Sequence, residues 1–395
     1  MAQLRLVPAG VVVGVLAGLS SAAFLTALRW VTDRRIAWPW TIWMLPLAGL
    51  AIGIVNLRWG GRANRGNRLV MAEIESLREG VPAKMAPLVL WGTLMTHAFG
   101  GSAGREGTAL QMSASLTDGL ARRVGLSHED RRTLLIAALS AAFGAVFGVP
   151  WAGVVFGLEV APATWRRRLR AVPACVVAAF IGDRLVAALG VTHTQYLSIH
   201  APSAHDLLVV ALAAPAFGLC AWLFLHLTSL ISREWRRRVT RSPLHPMLGG
   251  VLVLALTLAL GTRDYNGLSL PLITKSFSLV EVGLWVWAIK LVMTAITVGS
   301  GFAGGEVTPL FVMGATLGAG IGNAVGGPVT LLAAVGLVAT FGAAAHAPIA
   351  CFVMGLELFG PSAALPLAVG CVIARLCTSK RSLYDHEHEP VSGAR

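Results

Sequence analysis

Long apolar stretches broken by glycine run through this chain from end to end, and they restrict its fold more than any other feature. They fall at about 8–28, 39–57, 86–99, 133–160, 171–192, 206–231, 246–261, 282–300, 308–323, 328–358 and 362–378. A helix needs about 20 apolar residues to cross a bilayer, so some of these cross cleanly and others are too short. Hydrophobic residues make up 55% of the 395 positions and charged ones 13%, with a mean hydropathy of +0.71, which excludes an ordinary soluble domain. The expected fold class is an all-α polytopic membrane protein. A helix that stops inside the bilayer is tolerated only where its freed backbone groups face protein or a water-filled cavity. The short stretches therefore predict broken, tilted helices around an internal path.

The formal charge of +13 comes from 32 Lys and Arg against 19 Asp and Glu. Much of the excess sits in two clusters, Arg166, Arg167, Arg168 and Arg170, then Arg233, Arg236, Arg237, Arg238 and Arg241. Basic loops beside apolar helices mark the cytoplasmic side of a membrane, so the partner they imply is the lipid bilayer and not nucleic acid. Two apolar stretches lie between the clusters, which returns the chain to the same side. Cys175, Cys220, Cys351, Cys371 and Cys377 are scattered singly through apolar segments, without metal or disulfide spacing, and read as core packing. Met1 to Leu28 lacks a small-residue cleavage site and reads as a retained first helix. No nucleotide-binding loop, HExxH helix or GxSxG elbow is present, so no cofactor, no metal and no enzyme activity are expected, and energy must come from an ion gradient.

An internal repeat organises the rest. GSAGREGTAL at 101–110 matches GFAGGEVTPL at 301–310, a spacing of 200 residues, pairing Glu106 with Glu306 and Thr108 with Thr308. AAFGAVFGVPWAGVVFGLE, ending at Glu159, matches ATFGAAAHAPIACFVMGLE, ending at Glu357, at a spacing of 198. Two blocks in register predict a first membrane repeat over 1–195, a second over 205–379, and a C-terminal segment over 380–395 with no separate cytoplasmic domain. Duplicated halves with interrupted helices in corresponding places suit a transporter whose helix N-termini converge near the bilayer midplane. Such termini present unpaired N–H groups and a partial positive charge, and so form an anion site without a fixed cation. Tight helix packing would also explain the glycines, but not the paired Glu and Thr. Glu106 is costly at membrane depth unless functional, hydrogen-bonded or protonated. Its carboxylate is a built-in anion that could occupy an ion's place and leave it on protonation. A pairing with Arg105 is not expected, because adjacent helical residues point apart.

At these residues the chain resembles the CLC family of chloride channels and proton-coupled anion transporters. GREGT at 104–108 stands where the family has GREGP with its gating glutamate, GGEVTPLF at 304–311 stands at its second anion-binding loop, and Tyr384 in SLYDHE matches its anion-coordinating tyrosine. RGNRLVMAEI, from Arg65 to Ile74, occupies the place of GSGIP, with Asn67 at the pathway serine. Thr108 in place of proline, Asn67 in place of serine, and the Glu306/Thr308 pair look like the fluoride/proton antiporter branch. Val160 stands where chloride exchangers carry a second, cytoplasm-side proton glutamate, so protons would need another inward route.

The resemblance implies a CLC-type inverted-repeat fold, a homodimer, and export of fluoride in exchange for protons across the cytoplasmic (inner) membrane. The alternatives are a chloride/proton exchanger or a passive anion channel of the same fold. Glu106 would be the gating and proton-coupling residue, and Glu306 a candidate relay. The anion would be bound by the backbone around Gly104, Arg105, Gly107 and Val307, by the Asn67 amide, by the hydroxyls of Thr108 and Thr308, and by the Tyr384 phenol. Fluoride is small and strongly hydrated, so a site that strips its water must return dense hydrogen bonding. Glu159 and Glu357, each closing an apolar helix, read as structural, and so does His97. The HEHE run, His386 to Glu389, reads as a solvated tail and not a metal site.

Overall fold

The computed structural model describes residues 6–194, 196, 199, 202–278 and 281–385; the HEHE run lies outside the described residues. Among them the chain forms sixteen α-helices: α1 (Val7–Ala37), α2 (Leu45–Val55), α3 (Asn67–Glu75), α4 (Met85–Ala98), α5 (Glu106–Arg123), α6 (His128–Phe147), α7 (Pro150–Val160), α8 (Trp165–Ala188), α9 (Ala204–Arg238), α10 (Leu244–Leu260), α11 (Leu270–Ser276), α12 (Val286–Gly299), α13 (Val307–Val325), α14 (Val329–Ala345), α15 (Pro348–Phe359) and α16 (Ala364–Leu376). Five runs are long and apolar enough to cross a membrane: Val7–Ala37, Pro39–Glu75, Trp165–Ala188, Ala204–Arg238 and Val307–Val325. Exposed Leu208, Leu212 and Leu219 on α9 and exposed Trp30, Trp38, Trp40 and Trp43 around the end of α1 form the apolar and aromatic surface that lipid and its interface favour.

Two of the long apolar stretches are each a pair of helices. The run 133–160 breaks at Gly148, which adopts a left-handed conformation (φ 72°), and Pro150 then opens α7. The run 328–358 breaks in the same way at His346 (φ 56°), with Pro348 opening α15. Left-handed backbone favours glycine; His346 holds it with its Nε2 3.0 Å from the Ser379 carbonyl. Proline at the first helical position lacks an N–H that would be unpaired there anyway.

Helices α6, α13 and α14 are buried over most of their length and form the centre of the protein. The last two approach closely: a Cβ on Gly314 would come within 2.0 Å of the Gly336 carbonyl oxygen, and one on Gly318 within 2.0 Å of the Leu332 carbonyl oxygen. Of the cysteines, four pack in the interior as expected. Cys377 is exposed, because it caps α16 where the helix ends.

Glu159 and Glu357 close the second match between the halves with a reciprocal exchange. Glu159, near the end of α7, accepts the amides of Ile349 (3.1 Å) and Ala350 (2.7 Å) at the start of α15. Glu357, on α15, accepts those of Trp151 (3.1 Å) and Ala152 (2.8 Å) at the start of α7. Each carboxylate meets the positive end of the other helix. Replacing either by alanine leaves two N–H groups without an acceptor, and should destabilise the protein by ~1–2 kcal/mol. Thermal unfolding of the purified variants checks this; melting unchanged in both would contradict it.

Candidate functional site

The N-termini of α5 and α13 meet because the loops ahead of them are small enough to touch. Gly104 and Gly305 form an isolated antiparallel bridge, the Gly104 amide donating to the Gly305 carbonyl (2.6 Å) and the Gly305 amide to the Gly104 carbonyl (2.8 Å). A Cβ on Gly305 would lie 2.8 Å from the Gly107 nitrogen, 2.9 Å from that of Glu106 and 3.1 Å from that of Arg105. Only glycine lets the second loop rest on three successive amides of the first.

Glu106 sits at this junction, 1% exposed. Its Oε2 accepts the Arg105 amide (3.1 Å) and the Thr308 amide (3.1 Å), and its Oε1 accepts the Thr308 hydroxyl. The side chain from one loop is thus held by the first turn of the helix that follows the other. Arg105 also approaches it, with Nε 3.5 Å from Oε1, against the expectation that the pair would diverge. The reason is local: Arg105 precedes the helix with φ −121° and ψ −23°, so the helical geometry behind that expectation does not apply.

Other expected site residues are placed unevenly. Gly104 does not offer a free amide, since its N–H is taken by Gly305. Thr108 is fully buried, but its hydroxyl pairs with Thr93 (2.6 Å), which projects from α4, and not with Glu106. Asn67 opens α3 after Gly66, whose φ of 56° sets the turn; its Nδ2 lies 3.2 Å from where a Gly107 Cβ would be, and its Oδ1 is buried without a partner. Tyr384 is brought in by the segment after α16, where Leu383 donates to the Ala344 carbonyl (2.8 Å) and the Ser382 hydroxyl to that of Ala345 (3.0 Å). Its ring packs edge-on against Phe156, and its hydroxyl is buried with no partner. Val307 begins α13 beside Thr308. Glu306 precedes it, and the hydroxyl of neighbouring Thr308 is engaged by Glu106.

His97 is fully buried on α4, its ring nitrogens 2.9 Å from the Thr93 carbonyl and 3.1 Å from that of Ala103, which fits the packing role read from the sequence. Thr93, a hydroxyl in an apolar helix, and Ser102, a loop residue whose repeat partner is Phe302, escaped the sequence reading, since neither carries a spacing signal. Lys290 also escaped it, although it is the lone charged side chain in the stretch 282–300, and an ionisable residue at membrane depth is itself a signal.

Comparison with known proteins accounts for this architecture. The family model described as voltage gated chloride channel matches residues 48–379. A chloride/fluoride channel protein of Pseudomonas syringae pv. tomato is 42% identical over 380 residues, covering 94% of this chain and 84% of the relative. An H(+)/Cl(-) exchange transporter of Cronobacter sakazakii is 26% identical, covering 92% of this chain and 84% of its own. The crystal structure of a CLC-type fluoride/proton antiporter superposes with a TM-score of 0.91 at 30% identity, covering 97% of both chains. A slow cyanobacterial Cl-/H+ antiporter shares the fold, with a TM-score of 0.83 at 18% identity and 94% coverage of both. With two helix N-termini meeting tip to tip and the family match running through both helices, the chain belongs to the CLC family, a family of anion channels and transporters and not of enzymes.

Proposed function

We propose that this protein exports fluoride in exchange for protons, as a homodimer in the cytoplasmic membrane with one pathway in each subunit. The observation that carries the reading is the seat of Glu106, a carboxylate held by the Thr308 amide and hydroxyl and by the Arg105 amide. These are the donors an anion would need, already oriented and buried. Anion and carboxylate compete for them, so an entering fluoride displaces the side chain and a proton on Glu106 releases it. Neutralised, the carboxyl loses most of its attraction to the amides. Proton and anion then move in opposite directions through one position.

Fluoride as the substrate rests on the density of donors. The donors assigned to it are the Thr308 hydroxyl and amide, the amides of Arg105, Gly107 and Val307, the Asn67 side chain and the unpartnered Tyr384 hydroxyl, and a strongly hydrated ion gives up its water only for such a set. Thr108 supports the wall of the site through Thr93. The fluoride/proton antiporter at 30% identity and the relative named for both chloride and fluoride agree with this choice. Glu306 is the candidate inward relay, with Val160 unable to carry a proton at the end of α7. The subunit pathway is complete within one chain because both loops come from it.

Purified protein in liposomes, followed with fluoride, chloride and pH electrodes, tests the reading. Fluoride efflux should exceed chloride efflux by about tenfold or more, a difference of ~1.4 kcal/mol in the barrier, and should draw protons inward. Glu106→Gln should lose the proton movement. Comparable efflux of the two ions would remove the fluoride assignment, and coupled proton flux in the Gln variant would remove Glu106 from the exchange. Gly305→Ala, which drives a methyl into the three amides, should slow fluoride flux by about tenfold or more, since overpacking at a tight contact costs ~1–3 kcal/mol; wild-type flux there would contradict the described loop contact.

A further inference from the structure

Lys290 lies in the middle of α12 with no exposed surface, and none of its hydrogen bonds is to a carboxylate. Its Nζ is 2.9 Å from the Ser102 hydroxyl, 2.8 Å from the Ser269 hydroxyl, 2.8 Å from the Gly267 carbonyl and 3.1 Å from that of Tyr265. Burying an unpaired ammonium is among the costliest things a membrane protein can do. A methionine would fill similar space at less cost, so the charge needs a reason.

The reason is in what Lys290 joins. Ser102 begins the short segment that leads into the Gly104 bridge, and that segment is anchored along its length. The Asn266 side-chain amide donates to the Gly100 carbonyl (2.8 Å), and the Gly267 amide to that of Gly101 (3.0 Å). The Ser102 amide donates to the Thr297 hydroxyl (3.1 Å), and the Ser102 hydroxyl lies 2.9 Å from that of Thr294. Lys290 adds to these bonds from one charged group, holding the 265–269 loop through two carbonyls and Ser269 and the approach to Glu106 through Ser102. Its chain neighbours on α12, Ile289 and Leu291, are apolar and offer those carbonyls no donor.

We propose that Lys290 is a positioning residue for the exchange: by clamping Ser102 to the 265–269 loop it fixes how Gly104 and Arg105 approach Gly305, and so which amides face the Glu106 carboxylate. The step from loop position to exchange rests on the antiport reading above; the clamp itself does not.

Lys290→Met, Ser102→Ala and the double variant test it with two readouts. Hydrogen–deuterium exchange on the purified protein should show the amides of residues 100–107 exchanging about tenfold faster in Lys290→Met while those of α6 and α14 keep their protection, a local and not a global loosening. In liposomes the protons taken up per fluoride released should fall by about half or more. Loss of folded protein would lower both fluxes together and leave that ratio unchanged. The double variant should cost less than the two single effects added together, because the residues share the Lys290–Ser102 contact. Wild-type exchange and a wild-type ratio in folded Lys290→Met would overturn the proposal. Should that variant fail to fold, Ser102→Ala decides, with the same direction and about a threefold change expected, and wild-type values overturning it. A wild-type protein that moves fluoride without protons would sink the antiport reading alone and leave the exchange experiment to judge the clamp.

Discussion

The carboxylate of Glu106, hydrogen-bonded to the amide and hydroxyl of Thr308, makes demands that the rest of the structure meets. A buried negative charge needs donors, and here backbone N–H groups and a hydroxyl supply them. Those groups are free only at the start of a helix, so α5 and α13 must begin inside the protein. For their ends to face one another the preceding loops must touch, and the Gly104–Gly305 bridge is that contact. The burial of α13 against α14, backbone to backbone at Gly314 and Gly318, keeps the second terminus where the first can reach it.

An anion site of this kind differs from one built on arginine or lysine. Helix termini attract negative charge strongly enough to seat an ion but lack a full opposing charge that would hold it fast. In the proposed exchange the internal carboxylate and a travelling anion are close in energy, the condition under which one replaces the other and a single proton tips the balance. Of the nearby cations Arg105 does reach the carboxylate, its Nε 3.5 Å from Oε1. Lys290 is turned instead to hydroxyls and carbonyls.

Much of this was legible in the sequence because duplication writes the same signal twice. GSAGREGTAL and GFAGGEVTPL identify the two loops that touch, and the paired Gly-Leu-Glu ends mark the carboxylates that cap each other's helices. The breaks within 133–160 and 328–358 were passed over because alanine and valine run on through Gly148 and His346; Pro150 and Pro348 were the legible signal, and the left-handed backbone shows where the turn falls. The Arg105–Glu106 contact was misjudged because it depends on Arg105 lying one residue outside the helix, finer than a pattern can place. The Gly104 amide was misassigned for the opposite reason. Glycine was read as freeing a donor for the ion, whereas the donor is consumed in bringing the loops together. Lys290 was readable as a lone charge among apolar neighbours, but its cage comes from residues near 100 and 265 that no local spacing connects to it.

Competition between the Glu106 carboxylate and fluoride for one set of donors is the central claim, and calorimetric titration of fluoride into the wild type and Glu106→Ala measures it directly. Alanine removes the competing group and leaves nothing that can hydrogen-bond in its place. Fluoride should then bind about tenfold more tightly or better, because the seat no longer has to be vacated first. Equal or weaker fluoride affinity in the alanine variant would show that anion and carboxylate do not share these donors, and the account would fail at its centre.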